Sequence, residues 1–540
     1  MLFVDPVFLF LFAPIAVVGF WALRSYAGIT AALFWLTGCS IFFYGYETPR
    51  LVVYLLASYG FNYLVSRRLS VQPKGWLFAL AVIVNLVYLG YFKYTNFFLA
   101  NVEYLTGAHF NLSKIILPLG ISFYTFQQIV YLSDAYNGHL KSLSFIKYCS
   151  INSFFPHLIA GPIIWHREIA PQLERSRSDG FDGNLASLGL LFFSVGFFKK
   201  VMIADNTAVI ADAVFKLAGQ QAHLSFADGW LGALAYSIQI YFDFSGYSEM
   251  AIGLALLFGL RFPINFFSPY KATSIIEFWR RWHMTMTRFF QEFVYMPLQL
   301  AATRRFTSPV TNYVIIIIMM LLVGIWHGAG WTWIAWGLLH GLLLCLNHLW
   351  RHAKAACGIV GDPKSRGSSA TKLLAWLLTY LAVTTGWVLF RADNFDIALR
   401  LYRAMFLFDG FSLPYQTIGV IGVDLFRFLS RLGIKFDAEL AQSATATQFS
   451  ALQVWPVFLL TIFAATAPNL LQITRYCSGG RSPRSFTSPR DSMLDIDLAI
   501  DRRMWRPSRS WAAVSAIAFI AALLMIVDDT TRSVFIYFNF

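Results

Sequence analysis

One histidine lies at the centre of a long uncharged stretch. Residues 306–350 contain no Asp, Glu, Lys or Arg, and their middle reads WHGAGW, in which the histidine is His327. At a helical rise of ~1.5 Å per residue, the stretch is long enough for about two membrane crossings. A neutral imidazole costs less to bury than a carboxylate and accepts a proton near neutral pH. His327 is therefore predicted to deprotonate a hydroxyl group in a partly dry cavity. The alternative is a structural histidine, bonded to a carbonyl, at the tip of a helical hairpin.

The residues around His327 favour a pocket. The Gly-Ala-Gly sequence that follows it allows backbone or substrate to approach closely. Trp326, Trp331 and Trp333 are candidates for the walls of this pocket. His340 would face away from His327 on one continuous helix, so we interpret it as structural unless the glycines break that helix.

A second histidine, His283, directly follows the sequence WRRW. Arg280 and Arg281 are suited to hold an anionic acyl donor, such as a phosphate-bearing coenzyme, through charge-assisted hydrogen bonds. The competing interpretation, which physics alone favours slightly, is an interfacial helix whose arginines contact lipid head groups. Apolar residues at three- and four-residue spacing predict one amphipathic cytoplasmic helix over 274–295, started by a Ser-x-x-Glu capping box.

The remaining polar residues have less specific interpretations. Asp243 lies among aromatic residues, where we expect either a buried partner of one of the arginines or a pathway residue. His348 and His352 are four residues apart but have no third ligand nearby, so we predict no metal site. The five cysteines are scattered and indicate neither disulfides nor zinc.

The composition is that of a membrane protein. The 540 residues are 57% hydrophobic and 13% charged, whereas a soluble protein has about 25% charged residues. The net charge of +14 comes largely from basic residues in short connections between apolar segments, as the positive-inside rule predicts. This placement argues for a polytopic protein in contact with lipids and against nucleic-acid binding.

Apolar segments predict the order of the spans. The segment at 153–168 is short and interrupted by prolines, which favours a re-entrant segment. The segment at 185–205 has few uncharged residues before two lysines, so it is either a short tilted span or an interfacial helix. Two apolar runs are expected within 228–260. We predict spans at about 7–23, 29–46, 51–66, 76–92, 115–132, 373–390, 452–467 and 511–527, besides the two within 306–350.

Four separated motifs carry a resemblance to a known family: FDFSGYSEMAIG (242–253), NFFSPYKATSIIEFWRRWHMTMTRF (265–289), WHGAGWTWIAWGLLHG (326–341) and GWVLFRADNFDIAL (386–399). They resemble the membrane-bound O-acyltransferase (MBOAT) family, and most of all its bacterial polysaccharide branch, typified by the membrane subunit of alginate O-acetyltransferase. The sequences at 118–136 and 157–163 and the terminal FIYFNF match the same branch.

The resemblance implies an all-α polytopic membrane protein with the MBOAT fold. About 11 to 13 transmembrane helices, with re-entrant and interfacial helices, would form a ring around a central tunnel. His327 matches the catalytic histidine of the family and His283 its second recurrent histidine, and we expect both to be catalytic. The family places His327 inside the membrane, whereas the charges that flank 306–350 place it near the external tip of a hairpin.

The resemblance also implies a reaction. We expect acetyl to pass from a cytoplasmic donor, acetyl-CoA, across the bacterial inner membrane for O-acetylation of an exopolysaccharide such as alginate. No tightly bound cofactor is expected, and the partners would be periplasmic or membrane-anchored acetyltransferases and the polysaccharide acceptor. The residues expected to contact donor or substrate are Arg280, Arg281, Trp282, Asp243 and Trp326.

Two alternatives stay open at this point. A D-alanyl transfer protein of the same family is the nearest, although the long C-terminal extension favours the acetyltransferase branch. A transporter of polysaccharide precursors is the alternative from another class, and the lack of internal repeats argues weakly against it. We predict a single integral membrane domain over 1–540, with a motif core at 115–400, a basic cytoplasmic loop at 474–509, a last span at 511–527 and an unmatched insert at 410–450.

Overall fold

A computed structural model describes most of the chain: residues 1–107, 109–110, 115–140, 143–173, 180–304, 308, 310–358, 368–407, 412–414, 417–431, 434–437, 451–474, 476, 507–528 and 535–536. These residues are mainly helical. The strands among them are β1 (Ser412–Pro414) and β2 (Lys435–Asp437), which pair in parallel within the 410–450 insert. The predicted all-α fold is confirmed. Most of the predicted 474–509 loop lies outside the described residues.

The N-terminal part consists of long helices. Their positions agree with the predicted spans, except that the fourth helix is longer. It continues to a left-handed C-cap at Gly107 (φ 69°), which ends it in the way typical of glycine. After a π-helical turn at Phe8–Phe12, the helices are α1 (Ala13–Tyr26), α2 (Ile29–Gly45), α3 (Arg50–Val71), α4 (Gly75–Thr106) and α5 (Ile121–Tyr136).

A broken region follows α5. Its helices are short, and the irregular backbone between them is buried, from 159 to 165. This agrees with the expectation that the prolines interrupt the helix and that protein surrounds the freed backbone groups. The helices are α6 (Phe145–Ser153), α7 (Phe155–Leu158) and α8 (His166–Leu173).

The segment at 185–205, predicted to be a short tilted span or an interfacial helix, is part of a longer helical stretch. α9 (Gly183–Phe198) continues through a π-helical segment, Lys199–Asp205, into α10 (Asn206–Gly219). The lysines pair with α11 (Phe226–Leu257), Lys199 with Glu249 at 2.5 Å and Lys200 with Asp243 at 2.7 Å. Of the two alternatives for 185–205, the short span was wrong, since the apolar helical stretch extends over Gly183–Gly219. The two lysine charges are neutralised inside the protein and need no aqueous surface. The two runs expected within 228–260 are also one helix, α11.

The amphipathic helix predicted over 274–295 is broken in its middle. It forms α12 (Ile275–Arg281) and α13 (Met284–Phe290), separated at His283 and followed by a π-helical segment, Gln291–Tyr295, and α14 (Met296–Thr303). Only half of the predicted capping box exists. Ser274 accepts a hydrogen bond from the amide of Glu277 (3.2 Å), but the Glu277 carboxylate accepts from Thr273 rather than from Ser274.

The remaining helices include the hairpin that ends at His327. In the order of the chain they are α15 (Val310–His327), α16 (Trp331–Ala356), α17 (Ser369–Arg391), α18 (Phe395–Met405), α19 (Thr417–Arg431), α20 (Ala451–Thr466), α21 (Leu470–Thr474) and α22 (Arg509–Asp528). Within the described ranges, eight helical stretches are long and apolar enough to cross a membrane. The protein is therefore a multi-pass membrane protein, while the expected total of crossings stays a prediction.

Small residues let α15 and α16 touch. A Cβ atom on Gly324 would lie 2.4 Å from the carbonyl oxygen of Trp333, and one on Gly337 would lie 2.4 Å from that of Met320. Both distances are shorter than any real contact, so the two backbones meet where side chains are absent. The close crossing holds the C-terminal end of α15, and with it His327, against the first turns of α16.

The two ends of the described chain meet in the protein interior. The ring of Phe3 stacks on Tyr247 of α11 with centroids 4.8 Å apart, and the ring of Phe535 stacks on Tyr247 at 4.6 Å. The amide of Ile536 also donates to the Asp243 carboxylate at 3.0 Å. The buried helix α11 is thus covered by residues from both ends of the sequence.

Candidate active site

His327 is the last residue of α15 and is 2% exposed. Four aromatic rings surround its imidazole, with centroid distances of 4.8 Å to Trp326, 5.3 Å to Trp336, 5.1 Å to Phe390 and 6.1 Å to Trp333. The imidazole therefore lies in apolar surroundings, where a neutral ring is favoured over a charged one.

The wall of this pocket differs in part from the prediction. Trp326 and Trp333 contact His327 as expected. Trp331 does not, because it is 55% exposed, packs on Phe97 and donates to Asn101 at 2.9 Å. Trp336 and Phe390 were not predicted. The helical spacing of Trp333 and Trp336 was a usable signal for the first, whereas Phe390 comes from α17.

His283 lies beside His327. Its ring centroid is 6.4 Å from that of His327 and 5.9 Å from that of Trp326, and the residue is fully buried. Its backbone is left-handed (φ 42°, ψ 52°), an unusual conformation for a residue with a side chain. The fold thus brings together the two histidines that the sequence singled out, each at the end of a helix rather than within one.

Lys93 of α4 also belongs to this site and was missed. It is 8% exposed, and its ammonium group donates to the carbonyl oxygen of Trp326, to that of His327 (3.2 Å) and to the hydroxyl of Ser122 (3.5 Å). The last carbonyls of a helix have no partner within the helix, and a cation satisfies them well. A lysine within an apolar span was itself a usable signal.

A cavity connects Lys93 with His327. Its volume is about 80 Å³, and its lining includes Lys93, Gly120, Ser122, Trp326 and His327. A space of this size holds a few water molecules. The cavity therefore has room for a small polar group beside His327, whose two ring nitrogens are themselves buried.

Replacing Lys93 with methionine should weaken both stability and transfer. Hydrogen bonds from a charged donor contribute about 1.5–3 kcal/mol, so we expect a loss of that order in the free energy of unfolding, together with lower turnover as His327 becomes less well fixed. Thermal unfolding in detergent and a transfer assay measure the two effects. Lys354→Met removes an exposed lysine of α16 and serves as the control. Equal stability and turnover in Lys93→Met and wild type would exclude this role.

The residues of the WRRW sequence have different environments. Arg281 pairs with Glu277 at 2.8 Å and donates to the carbonyl oxygen of Phe267 at 3.2 Å. Arg280 is exposed, whereas Trp282 is buried and lies 4.9 Å from the ring of Trp387. Contact of Arg280, Arg281 and Trp282 with a donor stays a prediction, and Arg280 is the more accessible arginine.

Asp243 does not pair with an arginine as one alternative predicted. One carboxylate oxygen contacts Lys200 at 2.7 Å, and the other accepts the amide of Ile536 at 3.0 Å. Asp243 is 1% exposed, and the Lys200 side chain is 4% exposed. Lys200 was not considered as a partner of Asp243 because its position in the sequence suggested the end of a membrane span. Asp243 is thus a buried ion-pair partner of a lysine and not of an arginine, while its contact with donor or substrate stays a prediction.

His340 lies on α16 and is fully buried. His340 accepts a hydrogen bond from the indole of Trp279 at 3.3 Å, which agrees with a structural interpretation although the Gly-Ala-Gly sequence does break the helix. No group of three or more His, Cys, Asp or Glu residues within the described part of the chain is arranged to hold a metal ion.

Comparison with known proteins identifies the family. The family model of MBOAT, the membrane-bound O-acyltransferase family, matches residues 72–385. The chain is 40% identical over 450 residues to a peptidoglycan O-acetyltransferase of Helicobacter pylori, with 77% of this chain and 82% of the relative covered. It is 38% identical over 424 residues to a probable alginate O-acetylase AlgI of Azotobacter vinelandii, with 76% of this chain and 79% of the relative covered. A teichoic acid D-alanyltransferase of Bacillus subtilis is 28% identical to this chain over 343 residues, with 62% of this chain and 82% of the relative covered. The chain therefore belongs to the membrane-bound O-acyltransferase family and is an O-acyltransferase.

Proposed function

We propose that this O-acyltransferase moves acetyl from cytoplasmic acetyl-CoA, across the bacterial inner membrane, for O-acetylation of a polysaccharide outside the cytoplasm. The observation that carries the proposal is the pair of buried histidines, His283 and His327, with ring centroids 6.4 Å apart and a cavity beside His327. The similarity to enzymes named as polysaccharide O-acetyltransferases supports the choice of acetyl and of a polysaccharide.

In the proposed reaction His327 is the general base. It takes the proton of an acceptor hydroxyl in the cavity, and the hydroxyl oxygen attacks the thioester carbonyl of acetyl-CoA. The carbon–sulfur bond then breaks, and the imidazolium returns its proton to the leaving thiolate, so that free CoA and an acetyl ester are formed. His283 is on the donor side, next to Arg280 and Arg281, where we place the entry of the coenzyme.

Two polysaccharides are candidates for the final acceptor. An exopolysaccharide such as alginate is the first, because several relatives at 37–43% identity are named as probable alginate O-acetylases. Peptidoglycan is the second, because the Helicobacter pylori relative is 40% identical over 77% of this chain. In either case a periplasmic or membrane-anchored acetyltransferase would receive the acetyl group and pass it on.

The D-alanyl alternative has weaker support. The teichoic acid D-alanyltransferases are 28% identical to this chain, and the streptococcal one matches only 50% of it. A transport function without transfer has lost its support, since the chain belongs to a family of acyltransferases.

Acetyl analysis of the two polysaccharides tests the proposal. Cells with and without this protein are compared by NMR of the secreted polysaccharide and by mass spectrometry of muropeptides. We expect one of the two polymers to lose its O-acetyl esters in the absence of the protein. Proteoliposomes given acetyl-labelled acetyl-CoA, with membranes of the same cells as the source of acceptor, should show transfer of the label. Unchanged acetylation of both polymers, or transfer of D-alanine instead, would refute it.

A further inference from the structure

A chain of buried polar groups ends at the ring of His283. The amide of Ile163 donates to the hydroxyl of Thr285 at 3.1 Å. The same hydroxyl is 3.0 Å from the side-chain oxygen of Asn265, which is also 3.0 Å from Nδ1 of His283. All four residues are at most 3% exposed. Water therefore does not compete for these hydrogen bonds.

The first link of the chain has a fixed direction. A backbone N–H group donates and never accepts, so the Thr285 hydroxyl must be the acceptor towards Ile163. A hydroxyl has a single proton to give. This proton can go to the side chain of Asn265 at 3.0 Å if the atom that faces Thr285 is an acceptor.

The orientation of the Asn265 amide follows. The two ends of an asparagine amide are told apart by their partners. The atom that faces Thr285 also lies 3.4 Å from the Thr285 backbone N–H, which is a second pure donor. It must therefore be the carbonyl oxygen. The amide nitrogen then points to the hydroxyl oxygen of Ser248, at 3.2 Å, to which it donates.

The protonation of His283 is the last step. Because its Nδ1 faces a carbonyl oxygen, Nδ1 must carry a hydrogen. In the neutral ring the basic lone pair is then on Nε2. We propose that Asn265 is a positioning residue that holds His283 in the Nδ1–H tautomer, so that Nε2 is the nitrogen that exchanges protons or hydrogen bonds with substrates.

The backbone reinforces this assignment. The carbonyl oxygen of Asn265 accepts the amide of Met284, and Phe267 donates to the carbonyl oxygen of Arg281, both at 2.9 Å. These bonds on either side of His283 hold its left-handed backbone, a conformation that is unfavourable for a residue with a side chain. The ring of Phe244 packs against the imidazole of His283, with centroids 4.7 Å apart and ring planes at 89°, and it restricts rotation of the imidazole.

This inference rests on the proposed function only for its consequence in catalysis. With Nδ1 bound to Asn265, His283 can gain and lose a proton at Nε2 without turning its ring. A carbonyl oxygen accepts from the neutral and the charged imidazole alike, so Asn265 supports both states. The orientation of the His283 ring is therefore fixed through the reaction cycle, so the imidazole does not have to rotate during each turnover.

The tautomer can be measured directly. The full chain, labelled with ¹⁵N-histidine in lipid nanodiscs, gives separate nitrogen shifts for protonated and unprotonated ring positions, and His283→Gln identifies the signals of His283 by their loss. We expect a protonated Nδ1 and an unprotonated Nε2. Asn265→Leu should produce the other tautomer or a mixture, and Asn265→Asp should restore Nδ1–H because a carboxylate also accepts. An Nε2–H tautomer in the wild type would overturn the inference, as would an unchanged tautomer in Asn265→Leu.

Activity gives the second readout. In Asn265→Leu we expect kcat of the transfer to fall about 10- to 100-fold, with a smaller change in KM for the donor, and Asn265→Asp should recover most of kcat. Equal kcat in Asn265→Leu and wild type would refute the positioning role. The nitrogen shifts need no substrate. If the tautomer is as inferred but no acetyl is transferred, the proposed function fails and the assignment of the tautomer stands.

Discussion

Replacing His327 with glutamine should reduce acetyl transfer by about 10²- to 10⁴-fold, the usual contribution of a general base. Glutamine is similar in size and fills much of the aromatic pocket, but it does not accept a proton from a hydroxyl group near neutral pH. Lys93, which donates to the last carbonyl groups of α15, contacts the backbone carbonyl oxygen of His327 and not its imidazole ring. The end of the helix therefore keeps its hydrogen bonds, and we expect the amount of folded protein in the membrane to stay the same.

His348→Gln is the matched control for this variant. His348 lies on α16 and is partly exposed, outside the aromatic pocket. Transfer from labelled acetyl-CoA is measured for both variants in membranes with equal amounts of protein. His348→Gln should behave as wild type. Transfer at the wild-type rate in His327→Gln would eliminate His327 as the base and return it to the structural interpretation.

The second large effect concerns the stability of α11. Lys200→Met should lower the free energy of unfolding by about 3–5 kcal/mol, because it leaves the Asp243 carboxylate buried without its lysine. The double variant Lys200→Met/Asp243→Asn removes both buried charges and keeps an acceptor for the amide of Ile536. It leaves Asp205, the second carboxylate on Lys200 at 2.6 Å, which is 20% exposed and so can be solvated by water. It should recover most of the loss, since replacing a whole buried pair is often nearly neutral.

Thermal unfolding in detergent and size-exclusion chromatography measure the two variants. Asp243→Asn alone completes a double-mutant cycle, from which the coupling of the two residues is obtained. Lys216→Met, which removes an exposed lysine of α10, should have little effect. If the double variant is no more stable than Lys200→Met, the loss comes from packing of the lysine stem or from the lost pair with Asp205, and not from the unpaired charge of Asp243.

Local sequence patterns were sufficient for most helices. The runs around α1, α17 and α22 are apolar over the length of a membrane crossing, and this is visible without knowledge of any distant partner. The two histidines were also visible in the sequence, because an ionisable group between apolar or aromatic residues is conspicuous. Their proximity was not, since the distance between His283 and His327 depends on the packing of α12 and α13 against the α15–α16 hairpin.

Long-range pairing explains the wrong predictions. The lysines at 199 and 200 suggest the end of a span until their partners on α11 are known, some 40 to 50 positions away. The break at His283 is likewise invisible in the amphipathic pattern of 274–295. It is held by hydrogen bonds to the preceding segment, at Asn265 and Phe267. A helical period shows which residues face the protein, but it does not show where another segment interrupts the helix.

The two rings that stack on Tyr247 have a consequence for biogenesis. Phe3 precedes α11 in the chain, whereas Phe535 and the Ile536 amide bonded to Asp243 lie more than 270 residues after its end at Leu257. Synthesis proceeds at about 5–20 residues per second, so α11 waits on the order of tens of seconds for its last partners. During that interval Asp243 has Lys200 but lacks Ile536. Completion of the interior around α11 therefore has to wait until the chain beyond α22 has been made.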